Sequence, residues 1–213
     1  MNFFGHAVVA SWQPAAGPGL ALGAMLPDFA GMCGARIASA DDGEVARGID
    51  LHHATDAVFH QAAPVRALFA ATEQRLYARG CRRGPTRASA HVGVELLLDG
   101  ALLDDPGHRA VYLAALALVP VPVTWRDEGD DVRFARLHGR LAEHGVPDDL
   151  RRPAAVAERV IRTLAGRRLL APSPDERLMI ARVLVEVAAE VAAGVDGVLA
   201  AVRAGLAARA AST

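Results

Sequence analysis

Six side chains able to bind a metal ion or move a proton recur at four-residue intervals in two stretches: His52, Asp56 and His60, then His91, Glu95 and Asp99. Residues four apart on an α-helix share a face, with Cβ atoms roughly 5–6 Å apart, so each stretch presents a stripe of three donors. The second stripe interrupts an apolar run, Val92, Val94, Leu96, Leu97, Leu98, Ala101, Leu102 and Leu103. A helix apolar on nearly all sides is a buried one. Ionised carboxylates there are costly unless paired or metal-bound. Something cationic must therefore face Glu95 and Asp99, and either a metal ion or Arg87 meets that need.

Mixed imidazole and carboxylate donors without thiolate suit Mn²⁺ or Fe²⁺ best, with Zn²⁺ also compatible. His6 and Asp28 bring the candidates to eight, more than one six-coordinate ion can take. Either two ions share them, or some orient the true ligands. His53 lies off the stripe and reads as an orienting or surface group. His108, His138 and His144 have no comparable partners.

The elements that must carry these stripes are helices. Apolar residues make up 52% and charged residues 22% of 213 residues, which excludes a disordered chain. Aromatics reach only 5%, so core volume must come from aliphatic side chains on helices, and the expected class is all-α in one domain spanning 1–213. The donor motifs occupy 1–105 and supporting helices 106–213. A short helix should end at the turn Pro14-Ala15-Ala16-Gly17-Pro18-Gly19. Pro27 should open a new helix, placing Asp28 near an element end. Glu44 to Arg79 reads as one long helix or two abutting ones, broken near Pro64. Thr86 is the expected N-cap of a helix reaching Leu103. Further helices are expected near Arg109–Leu118, Asp131–His144, Pro153–Ala165 and Asp175–Ala210. The last is rich in Ala and Val, fit for core packing or a subunit contact in a homo-oligomer.

The net charge of −1 leaves no basic footprint for nucleic acid, and all 23 basic residues are arginine. Arginine's planar fork suits phosphate and carboxylate, which makes local clusters such as Arg82, Arg83 and Arg87 candidates for anionic partners. Cys33 and Cys81 form no metal-knuckle spacing and read as free thiols of a cytoplasmic protein. Neither a signal peptide nor a membrane span is expected.

Four ordered blocks carry a resemblance: Met1-Asn2-Phe3-Phe4-Gly5-His6; Leu22 to Gly31 with Pro27-Asp28-Phe29; Gly48-Ile49-Asp50-Leu51-His52-His53-Ala54-Thr55-Asp56; and Arg87 with Glu95-Leu96-Leu97-Leu98-Asp99. They resemble, in order, the MNFLAH, GNLLxDFxxG and GIxxHRxID motifs and the R and DxxxDH positions of the acyl carrier protein phosphodiesterases, which have an HD-domain-like helical fold. The resemblance implies an HD-like bundle and places His6, Asp28, His52, Asp56 and Asp99 at that family's characteristic polar positions. His53, His60, Glu95 and Gly100 depart from it, standing where the family has arginine, aspartate, aspartate and histidine; His91 has no counterpart in it.

The activity implied is metal-dependent hydrolysis of the phosphodiester joining 4′-phosphopantetheine to a serine of acyl carrier protein. Asp28 and Asp99 would act as ligand or proton acceptor, and Arg87 would steady the phosphate or balance Glu95. Arg79, Arg82 and Arg83 would form a landing surface for the acidic carrier. The alternatives are a metal-dependent hydrolase of another small phosphorylated substrate, an oxygenase on the same scaffold, and a non-catalytic helical binding module.

Overall fold

The computed structural model describes residues 1–14, 16–40 and 43–211. About 75% of the chain is helical, so the chain is all-α, and a two-stranded sheet does not alter the class. The described residues divide into two compact units, each discontinuous in sequence: Met1–Ala57 with Leu102–Pro147, and Val58–Ala101 with Asp148–Thr213.

The first unit is built on α1 (Phe3–Ala10), α2 (Pro18–Cys33), α3 (Gly43–Phe59, through Ala57), α6 (Pro106–Leu116) and α7 (Asp130–His144). Every residue of α1 is buried, and α1 packs on α2 and α6. Phe3, Phe4, Phe29 and Tyr112 cluster there, with ring centroids 5.4–6.0 Å apart. The helix α2 runs straight through Pro27, so Asp28 is in the helix interior rather than near an element end. An internal proline costs about 3 kcal/mol; burial of Leu20, Leu22, Met25, Leu26 and Phe29 offsets it. Of the expected Pro/Gly turn, Ala15 lies outside the described residues, and Pro18 and Gly19 already belong to α2. Two strands, β1 (Ile37–Ala40) and β2 (Val123–Trp125), pair antiparallel. The sequence reading missed both, because runs of four and three residues are too short to show alternation.

The second unit contains α4 (Ala63–Ala78), α5 (Arg83–Leu102, through Ala101), a 3-10 turn at Asp148–Arg151, α8 (Pro153–Ala165) and α9 (Pro174–Ala210). The helix α9 packs on α4 and α8, burying Ile180, Val183, Leu184, Val187, Val191, Val198 and Val202; core packing thus accounts for most of its valines, whereas its alanines are half-buried or exposed. Its start is a capping box in which Ser173 and Glu176 satisfy each other's backbone N–H groups. The helix α5 begins three residues before Thr86, which is buried within it rather than acting as its cap. Pro85 is tolerated because first-turn N–H groups have no intrahelical acceptor.

Gly100, where the resemblance expects histidine, packs against the 3-10 turn: a Cβ there would lie 2.1 Å from the Leu150 carbonyl oxygen. No side chain fits at that contact, so position 100 serves close packing and offers no donor.

Candidate functional site

The eight candidate donors do not form one set. Six of them fall into two groups, His6 with His52 and Asp56 in the first unit and His60 with His91 and Glu95 in the second. Among the described residues Asp28 and Asp99 belong to neither. Asp28 is half-buried on α2, and Asp99 is buried on α5, 1% exposed.

The first group depends on a close helix crossing. Gly23 of α2 and Gly48 of α3 touch so tightly that a Cβ on Gly48 would lie 2.3 Å from the Leu20 carbonyl oxygen and 2.7 Å from the Gly23 Cα. This contact brings His52 Nδ1 to 2.9 Å from the Ala24 carbonyl, which sets the ring so that Nε2 faces Asp56 Oδ2 at 3.6 Å. The His6 ring stacks on His52, centroids 3.9 Å apart, and its Nε2 lies 3.2 Å from Asp56 Oδ1. Neither His6 nitrogen makes a well-directed hydrogen bond. The Met1 ammonium donates to the same Asp56 oxygen at 2.9 Å.

Burial lowers the pKa of both imidazoles: His6 is shifted down, and His52 falls to about 4, with the neighbouring His6 adding to the effect. For Asp56 burial acts upward, but His6 and the ammonium outweigh it and hold the carboxyl well below its usual range. The group is thus two neutral imidazoles and one carboxylate, the protonation states that metal binding requires, with an ammonium already beside the carboxylate.

The second group is open. The helix α3 ends at Phe59, so His60 sits in the turn before α4 and leaves the face shared by His52 and Asp56. His60 Nε2 and His91 Nε2 approach the same oxygen, Glu95 Oε1, at 3.3 and 3.2 Å. The two rings stack at 5.0 Å, and Phe69 of α4 stacks on His91 at 5.1 Å, fixing the pair from the side. Burial would raise the Glu95 pKa, yet the hydrogen bonds from both histidines hold it well below the normal value. Glu95 thus faces two imidazole N–H donors at the place where an ion could sit.

His60 and His91 line an open pocket of about 650 Å³ together with Phe69, Glu73, Arg83 and Arg87, a size that admits a small ligand or the arm of a larger one. Glu73 is a residue the sequence reading missed. It stands outside both stripes, and only the packing of α4 brings it to this pocket.

Donor separations of 3.2–3.6 Å in the two groups fit ligands sharing one ion at bond lengths of about 2.0–2.2 Å. Either group could hold a metal ion. His53, set aside as an orienting or surface group, meets the His52 ring edge-on at 5.3 Å and lines a separate pocket of about 590 Å³ with Asp50, Arg126 and small apolar residues.

Two of the three arginines expected to receive an acidic partner are engaged within the protein: Arg79 pairs with Glu186 and Arg82 with Glu176. The interaction with Arg82 is the main cause holding the Glu176 pKa down to about 2. No helix among the described residues is long and apolar enough to cross a membrane. The chain matches no protein-family model, no curated protein and no solved structure.

Proposed function

We propose that the protein is a divalent-metal-dependent hydrolase of a phosphoric diester, with its reaction centre at the His60–His91–Glu95 pocket. The observation that carries this reading is the convergence of two pocket-lining histidines, His60 and His91, on Glu95, beside an open pocket that also presents Arg87. The buried first group has comparable donors, but an ammonium already faces its carboxylate. It is the weaker candidate for turnover.

His60, His91 and Glu95 would hold the ion. Mn²⁺ and Fe²⁺ suit these donors best, and Zn²⁺ is compatible. A divalent ion there would supply Lewis acidity toward water and a phosphoryl oxygen. The chain's own contribution is positional. Stacking among His60, His91 and Phe69 holds both imidazole planes. Glu95 anchors both Nε2 atoms, and Arg87 offers a planar fork to the phosphate.

The four-block resemblance supports an HD-like scaffold and names a substrate, the phosphopantetheine arm of acyl carrier protein. In that case the phosphorus–oxygen bond to the carrier serine breaks, and the arm leaves as a phosphomonoester.

The test is incubation with holo acyl carrier protein and Mn²⁺, followed by mass spectrometry. Loss of the arm is expected with the native chain and not with Glu95→Gln. A native chain that binds no divalent metal and leaves the arm in place overturns the proposal; bound iron with oxygen consumption would point to the oxygenase instead.

A further inference from the structure

Three arginines of the second unit pair with glutamates of α9: Arg75 with Glu190 at 2.6 Å, Arg79 with Glu186 at 2.8 Å and Arg82 with Glu176 at 2.7 Å. The arginines of the pocket are not among them. Among the described residues, Arg83, Arg87 and Glu73 all line it, and none has an ion-pair partner. Arg83 and Arg87 are one helical turn apart on α5, a like-charge spacing that destabilises a helix unless an anion joins the pair. His91 and Glu95 continue the same four-residue stripe. One face of α5 therefore carries two unneutralised guanidinium groups followed directly by metal donors.

We infer that Arg83 and Arg87 together clamp a phosphoryl group, and that the pocket prefers a dianionic phosphate to the monoanion of a diester. The inference deepens the proposed function and rests on it for the charge of the ion. With a divalent ion at Glu95 and Glu73 set against the arginines, two positive charges remain uncompensated.

A phosphodiester brings one negative charge. Addition of hydroxide makes a five-coordinate phosphorus species with two. As the bond to the leaving oxygen breaks, the hydroxide proton passes to that oxygen, and the monoester keeps both charges above its second pKa of about 6. The clamp thus binds the substrate least well and the transition state and product better, which is the direction catalysis requires. Arg83 becomes a second phosphate-binding residue, and inhibition by product phosphomonoester follows.

Calorimetric titration at pH 8 tests this, using phenyl phosphate as the dianion and methyl phenyl phosphate as the monoanion, with and without Mn²⁺. In the Mn²⁺-loaded protein the monoester should bind about tenfold more tightly than the diester. Arg83→Gln should remove most of that advantage while Mn²⁺ affinity, read without phosphate, stays unchanged. Arg83→Lys, which keeps the charge but not the fork, should fall between them. Arg79→Gln, outside the pocket, should titrate like the native chain.

Equal binding of the two esters, or an Arg83→Gln variant that binds the monoester normally, overturns the clamp. Should Mn²⁺ fail to bind, the metal-free titration still decides: phenyl phosphate binding lost in Arg83→Gln and kept in Arg79→Gln upholds the clamp and sinks the metal reading, whereas binding indifferent to Arg83→Gln sinks both.

Discussion

The two donor groups are chemically alike, each with two histidines and one carboxylate, and physically different. In the first unit His6 and His52 are 1% and 5% exposed, and burial alone is enough to keep both imidazoles neutral. In the second, the His60 and His91 side chains are 32% and 46% exposed and the least exposed member is the carboxylate, 11% exposed. The inverted burial separates what the groups can do. Buried imidazoles around a half-exposed carboxylate favour a closed, structural role. More open imidazoles around a less exposed carboxylate leave room at the pocket for a ligand, and the pocket-facing arginines supply charge for one.

The comparison can be broken at four places. The largest expected effect is at the helix crossing beneath the first group: Gly48→Ala would push α2 from α3 and should cost about 3 kcal/mol, visible as a lowered melting temperature. An unchanged melting curve would mean that the crossing does not set His52. Next is Glu95→Gln, which keeps the size of the side chain and removes its charge. Mn²⁺ affinity at the pocket should drop on the order of a hundredfold, read by titration calorimetry; an unaltered isotherm would move the metal elsewhere.

The third test uses pH. The folded pKa of His52 lies at about 4, below its ordinary value of 6.5. The unfolded chain therefore takes up a proton that the folded chain refuses. Metal-free protein should lose stability as pH falls from about 6.5 toward 4 and recover it as pH rises. Urea midpoints across this window measure the effect, and His52→Gln should reduce it to the share that His6 contributes. The smallest effect is a control: Ser173→Ala removes the cap of α9 and should cost about 1 kcal/mol in thermal unfolding while leaving metal and phosphate titrations unchanged.

Much of the helical organisation was legible in the sequence. Pro153–Ala165 is found with the expected ends, and the final helix begins one residue early, at Pro174, because proline, serine and the capping glutamate act within a few residues of their own backbone. Pro27 was misread for the opposite reason. Its local penalty is real, but α2 is held by long-range burial that no window of sequence displays. The strands β1 and β2 escaped notice because each exists only through a partner more than eighty residues away.

The four-residue spacing determined by itself that His91 and Glu95 would meet, since an uninterrupted helix carries both; Arg83 joins Arg87 on that face only because α5 starts three residues before the expected cap, Thr86. It also suggested that His52, Asp56 and His60 act together, and there tertiary structure decided otherwise. The helix stops at Phe59, so His60 joins residues from α5 while His52 and Asp56 join His6 from α1. Spacing constrains side chains only as far as the helix continues. Beyond its end, which donors converge, which are buried and which face open space depends on contacts between distant segments, and those belong to the folded chain alone.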